Sequence, residues 1–357
     1  MSSLEAGLVG LPNSGKTTVF NALTGAGAAV APHMFSTVET NSAEAEVRDP
    51  RLADLARLSE SAKVVPATLR VVDIAGLVRG ASQGEGLGNQ FLGQIRTTDA
   101  VIHVVRCFHD DTVAHPSGSV DPVGDVETVE LELAFADLAA IERRHERVAK
   151  TAKGGEKDAV AEVEALEALR AALETGRPAR SAGVAIPATL DLLTAKPTLY
   201  LANIDDSGNP EGVAAVEAFA ADRGAPCVAV NAKIEAELRE LPEDEAGAFL
   251  EDLGIESPAL DRVTLAAYAL LDLIPFFTTG PKETRAWTIR RGQNAQTAAG
   301  RIHTDLARGF IRAEVIEWDR LLEAGSEVEA KRRGWVRVEG RDYVVKDGDT
   351  LNVRFNV

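Results

Sequence analysis

Cysteine is scarce in this chain of 357 residues: only Cys107 and Cys227 occur, and neither has a second ligand at metal-binding spacing. A disulfide framework and a zinc site are therefore not expected, and a reducing cytoplasm fits. No run of about 18 apolar residues is present, so no membrane-spanning helix is expected. The first residues lack a basic stretch, and Glu5 and Gly7 interrupt any apolar run, so a secretory signal is not expected either. Positive charge is also in short supply. Lys and Arg number 38 against 55 Asp and Glu, a formal net charge of −17, which argues against the whole surface binding nucleic acid. The deficit is uneven. Residues 276–357 carry 15 Lys and Arg against 12 Asp and Glu, whereas the rest carries 23 against 43. A basic C-terminal part on an acidic body is where contact with a polyanion such as RNA would be sought.

What is present reads as globular, with 45% hydrophobic and 26% charged residues, and the length suits two or three domains. Leu4–Val9 is a short apolar run. Buried-strand candidates recur at Thr68–Val72, Ala100–Val105, Thr198–Ala202 and Pro226–Val230, with helical stretches between several of them. This rhythm predicts an α/β fold, a doubly wound, mostly parallel sheet. From Asp125 to Glu174 the rhythm breaks. Leu131, Phe135, Leu138, Ile141, His145 and Val148 recur at helical spacing, as do Val160, Val163, Leu166, Leu169 and Leu173, with Lys153-Gly154-Gly155 between them. An inserted α-helical hairpin with a coiled-coil seam is predicted. After Pro275 the segments Arg285–Ile289, Gly334–Glu339, Asp342–Val345 and Thr350–Phe355 read as strands and Ala295–Leu306 as a helix, a small α+β domain. The expected division is 1–124 with 196–275 for nucleotide binding, 125–195 for the hairpin, and 276–357 for the C-terminal domain.

The chemistry is concentrated near the N-terminus. Gly10-Leu11-Pro12-Asn13-Ser14-Gly15-Lys16-Thr17 fits the phosphate-loop pattern, with a strand before it and a helix after it. The glycines let the backbone amides wrap an anion, and the helix contributes its positive end. Asn13, Ser14, Gly15, Lys16, Thr17 and Thr18 are the candidate phosphate contacts, with Lys16 on the β and γ phosphates and Thr17 on Mg²⁺. Val71-Val72-Asp73-Ile74-Ala75-Gly76 supplies a second Mg²⁺ residue, Asp73, and an amide at Gly76 to sense the γ-phosphate. Thr37 lies between these motifs, where a switch threonine would complete the metal shell. Leu77 stands where many GTP hydrolases place a glutamine, so water must be oriented by another group or hydrolysis is slow. Asn203-Ile204-Asp205-Asp206 follows a strand at the place where guanine-specific proteins carry Asn-Lys-x-Asp. Ile204 offers no lysine contact, while Asp206 offers a carboxylate to guanine, so base specificity stays open. Asn231-Ala232-Lys233 is the further loop beside the base.

Together these motifs resemble the YchF family, the Obg-like ATPases. The resemblance rests on residues 10–17, on Asp73-Ile-Ala-Gly-Leu-Val-Arg-Gly-Ala-Ser82 and Gly84-Glu-Gly-Leu-Gly-Asn89, and on Arg106-Cys107-Phe108 and Ser119-Val120-Asp121-Pro122. It continues through Phe276-Phe277-Thr278, Arg285-Ala-Trp-Thr-Ile289, Gly309-Phe-Ile-Arg-Ala-Glu-Val315 and Asp342-Tyr-Val-Val345. It implies a GTPase-type domain, the helical insertion and a C-terminal TGS domain. It also implies preference for ATP over GTP and association with ribosomes. The same resemblance places a catalytic histidine at His115, with His33 and His109 as alternatives, and lets Phe108 line the adenine site. Asp206 departs from the family's glutamate and Asn231 from its serine. Asn13 occupies the position at which potassium-stimulated relatives bind K⁺. The expected protein is a slow ATPase acting as a switch on the ribosome, with a GTP-binding regulator and a binding module with incidental hydrolysis as alternatives. A monomer is expected.

Overall fold

The computed structural model describes residues 4–28, 41–77, 80, 87–252 and 257–356. The chain divides into two compact units, residues 1–44 with 70–267, and residues 45–69 with 268–357. The chain leaves the first unit within the strand Asn41–Val47 and returns within Ala67–Asp73.

The first sheet has six strands in the order Asn41–Val47, Ala67–Asp73, Glu5–Val9, Ala100–Arg106, Thr198–Asn203, Cys227–Val230. Glu5–Val9 pairs in parallel on both sides, with Gly7 opposite Val72 and Val101. The next pairings, Val105 with Ala202 and Ala202 with Ala229, are parallel too. All seven residues of Ala100–Arg106 are buried, as is every residue of Thr198–Asn203. Continuous burial is the signature of central strands covered on both faces. The first strand therefore has neighbours leading in opposite directions along the sheet, and the loop leaving it opens at such a crevice. Asn41–Val47 was not recognisable as a strand. Its sequence, NSAEAEV, alternates exposed and buried residues at the sheet edge and carries few apolar side chains.

The insertion is built from the helices Pro122–Ala152 and Lys157–Glu174. Asp121 caps the first through Gly124 N at 3.1 Å, and Pro122 occupies the first turn, where a missing amide costs nothing. Arg144 clamps Glu162 across the pair at 2.6 and 2.8 Å. The seam differs from the expected one. Leu131, Phe135 and Val160 are exposed, whereas Ala134, Ile141, Leu166, Leu169 and Leu173 are buried together. The cause is that the first helix serves two partners. Its Val129, Leu133 and Ala136 pack into the cluster holding Val9, Leu77 and Phe91, so its apolar pattern superposes two faces. Asp137, fully buried, accepts from Leu193 N, Thr194 N and Thr194 Oγ1 at 2.6–2.8 Å and fixes the chain where the insertion ends.

The second sheet runs Arg337–Glu339, Phe310–Glu317, Asp349–Phe355, Leu273–Thr278, Thr284–Arg290, Val64–Val65. The strands Leu273–Thr278 and Phe310–Glu317 were not anticipated, and Asp342–Val345 is not a strand, making only an isolated bridge from Val344 to Asn294. The helix expected over Ala295–Leu306 breaks at His303 into Ala295–Ile302 and Thr304–Arg308. Val64 pairs in parallel with Thr284, and Ala62 N donates to Pro281 O at 3.0 Å. Arg51 bonds Asp49 and Asp347 and stacks on Phe277 and Trp318. Residues 45–69, which the sequence placed with the nucleotide domain, are thus tied to residues 268–357.

Candidate functional site

The loop after the Glu5–Val9 strand leads into the helix Lys16–Thr24. Asn13 and Gly15 take positive φ, 61° and 93°. A side chain at Gly15 would run into the Asn203 amide, so glycine is required there on two counts. Lys16, only 7% exposed, donates from Nζ to Gly10 O at 3.2 Å and Leu11 O at 2.8 Å. Burial lowers its pKa to about 8, with the Asp73 charge opposing the shift. Thr17 Oγ1 donates to Asp73 Oδ2 at 2.8 Å. Asp73 is fully buried, which raises its pKa against the pull of Thr17 and Lys16. Among the described residues its Oδ1 has no partner, and neither does the buried Ser14 Oγ. A buried orphan carboxylate oxygen beside a threonine hydroxyl suits a hard divalent cation. Thr18 stands in the first turn of the helix. Thr37 lies outside the described residues, as does His33.

Gly76 abuts the same loop, since a Cβ there would stand 2.8 Å from Pro12 Cα and N. Leu77 N donates to Gly10 O at 3.0 Å, and the Leu77 side chain, 1% exposed, packs among Val9, Leu11, Phe91 and Val129. The glutamine position of other nucleotide hydrolases is therefore turned into the core, away from any water.

The loops expected to meet the base come from three separate places in the chain. Asn203, 4% exposed, donates from Nδ2 to Ser14 O at 3.0 Å and accepts at Oδ1 from Ala232 N at 3.3 Å. It thereby braces the phosphate loop against the 231–233 loop. Asn231 caps the helix Ala232–Glu240 by accepting from Ile234 N at 3.2 Å, and its Nδ2 donates to Asp206 Oδ1 at 2.9 Å. Two of the positions that depart from the resembled pattern thus bond each other. Ile204 packs against an apolar cluster containing Cys107, Tyr200 and Val216, and Lys233 is exposed. Arg106 Cζ lies 4.4 Å from the centre of the Phe108 ring, which borders Gly15.

His115 sits in the loop that follows. Asn13 Nδ2 donates to Ala114 O at 2.9 Å, joining this loop to the phosphate loop. Arg106 holds the loop's shape by donating to the carbonyls of Phe108, Asp110 and Val113. His115 Nε2 lies 2.9 Å from Asp125 Oδ2, and Nδ1 accepts from Ser117 N at 3.2 Å. His109 is exposed; its amide donates to Asp205 Oδ2 at 2.8 Å.

Two family models match this chain. The 50S ribosome-binding GTPase family covers residues 5–137, and the C-terminal YchF GTPase family, described as a protein of unknown function (DUF933), covers residues 273–356. The "Ribosome-binding ATPase YchF" of Bacillus subtilis is 49% identical over 99% of this chain and 100% of its own length. The chain belongs to the YchF family. The "Obg-like ATPase 1" of rice is 40% identical over 100% of this chain and 93% of its own. The solved Schizosaccharomyces pombe YchF GTPase superposes with a TM-score of 0.85 at 31% identity, covering 99% of this chain and 98% of that one.

In this YchF chain, the sequence showed the phosphate-loop pattern and placed Asp73 at a strand end, but it held no sign of the side chains that join these loops. Arg106 was visible as a charge ending a buried strand. The partners of His115, namely Asp125 and Ser117, left no local signal. Neither did Glu132, a buried acid on the insertion whose Oε1 accepts from Gly80 N at 2.5 Å.

Proposed function

We propose that this YchF-family protein is a slow ATP hydrolase that binds ATP with Mg²⁺ and works as a switch on the ribosome. The observation that carries the hydrolase reading is the Lys16–Thr17–Asp73 cluster, with a buried Asp73 Oδ1 that has no partner among the described residues. Thr17, Asp73 and, by sequence, Thr37 would hold Mg²⁺, which neutralises charge on the β and γ phosphates. Asn13, Ser14, Gly15, Lys16 and Thr18 cradle the phosphates, and Gly76 senses the γ-phosphate. Phe108, Asn203, Ile204, Asp206, Asn231, Ala232 and Lys233 surround the base. His115 orients water, the task Leu77 cannot perform. The ribosome enters from the names of the bacterial relatives. The basic C-terminal TGS domain is the candidate RNA contact, the protein acts as a monomer in the cytoplasm, and the domains are those expected from the sequence with residues 45–69 reassigned.

A GTP-binding regulator is the second reading, favoured by the Asp206 carboxylate. Competitive titration of ATP against GTP decides between them: tighter ATP binding is expected, and equal or tighter GTP binding overturns the ATPase assignment. Turnover with and without ribosomes tests the switch. Asn13 makes potassium the expected monovalent activator. Equal rates in potassium and sodium would leave Asn13 with only its bond to Ala114.

A further inference from the structure

The His115 ring is occupied at both nitrogens. Ser117 N can only donate, so Nδ1 is an acceptor without a proton, and Nε2 carries the hydrogen given to Asp125 Oδ2. Ser117 Oγ lies 2.9 Å from the same Nδ1. The side chains of His115 and Asp125 are 5% and 9% exposed. The Asp125 carboxyl lies in the first turn of the helix Pro122–Ala152, beside the cap Asp121. It is also faced by Arg106 and Cys107. A neutral histidine that orients water must offer a free lone pair. In this tautomer that lone pair belongs to Nδ1, and the Ser117 amide and hydroxyl now fill its place.

We propose that Asp125 is the positioning residue for His115, fixing its tautomer and ring plane from the root of the helical insertion, and that Ser117 holds the acceptor nitrogen out of use until the 115–119 turn opens. The proposal rests on the reading of His115 as the group that orients water. Its logic is that of an acid–histidine pair, in which the carboxylate keeps the nitrogen beside it protonated and the opposite one basic. The serine hydroxyl occupies the seat that a water would take. The carbonyl of Ala114, bonded by Asn13, keeps the neighbouring backbone at the phosphate loop while the turn opens. Because Asp125 rides on the insertion's first turn, whatever grips the hairpin acts on His115 through one hydrogen bond.

The test is single-turnover ATP hydrolysis, with and without purified ribosomes, for the unmodified protein and for Asp125→Asn, Asp125→Glu, Ser117→Ala and His115→Ala, with ATP affinity measured alongside. Asp125→Asn is expected to lower the stimulated rate about 10- to 100-fold, the range for a supporting partner, with ATP affinity unchanged, and Asp125→Glu to restore part of it. Ser117→Ala is expected to raise the unstimulated rate about fivefold, the worth of one net hydrogen bond. Long-range ¹⁵N–¹H spectra should show the Nε2–H tautomer at His115, lost in Asp125→Asn. If His115→Ala is crippled while Asp125→Asn keeps its rate, or Ser117→Ala leaves the unstimulated rate unchanged, the proposal is overturned. If His115→Ala is stimulated normally, it is the reading of His115 itself that falls. Should Asp125→Asn fail to fold, Ser117→Ala, at an exposed position, and the tautomer of the unmodified protein decide the matter.

Discussion

The proposed phosphate end and the proposed base end of this site are built in opposite ways. At the proposed phosphate end, the assigned groups come from eight consecutive residues and one strand end, and Lys16 and Asp73 are buried. At the proposed base end, residues from three loops meet, and Asp206 accepts a hydrogen bond from the Asn231 amide. A desolvated ion contact carries much energy and little tolerance, whereas a half-exposed polar contact carries little of either. The phosphate end should therefore decide whether a triphosphate binds at all, and the base end only which one.

The largest effect expected from that contrast is at Lys16. Lys16→Ala removes a buried cation opposite two phosphates and should cost about 2–5 kcal/mol of triphosphate affinity, judged by buried charge pairs elsewhere. Calorimetric titration checks it, and unchanged affinity would remove the phosphate-loop assignment. Asn203 sharpens the comparison because it belongs to both ends. Asn203→Ala strands Ser14 O and Ala232 N, and about 1–3 kcal/mol of unfolding free energy should be lost in urea denaturation.

A pH experiment isolates the burial of Lys16 in the nucleotide-free protein. Its folded pKa of about 8 lies below the ordinary lysine value of 10.5. The unfolded chain then holds this proton more tightly, so between those two values stability rises with pH. The cost of burying the ammonium is complete below pH 8 and fades toward pH 10.5. Lys16→Met should accordingly melt above the unmodified protein at pH 7, with the gap closing through that window. A gap that is constant with pH would mean that Lys16 is not held in a desolvating site. The smallest effect is expected at Asp206. Asp206→Ala should weaken GTP about fivefold, as for one hydrogen bond, and leave ATP nearly unchanged. Asp206→Glu should instead strengthen the preference for adenine. If both variants keep the parent's ATP-to-GTP ratio, the base is read elsewhere, with Phe108 next to be examined.

The same contrast governs how much was legible before the structure. The central strands were readable because full burial on both faces forces continuous apolar runs, as in Ala100–Arg106. The hairpin was readable as two helices, but its seam was misassigned because one helix serves two cores. Asn41–Val47 escaped because an edge strand needs little apolar content. Residues 45–69 looked like part of the nucleotide domain because chain order was the only guide. Their pairing through Val64 and Arg51 with residues near 280 and 347 is a long-range fact.

By itself, the sequence determined the phosphate loop, the Asp73 strand end and the alternating α/β plan. The groups involved lie within a few residues of one another, and the backbone geometry they need follows from glycine, strand and helix signals alone. Only the tertiary structure decided that Leu77 is packed into the core, that Asn203 braces two loops, and that Asp206 bonds Asn231. It also decided that His115 is held between Asp125 and Ser117. Those are contacts between side chains brought together by folding, and no spacing along the chain encodes which of several polar partners a buried nitrogen or carboxylate will find.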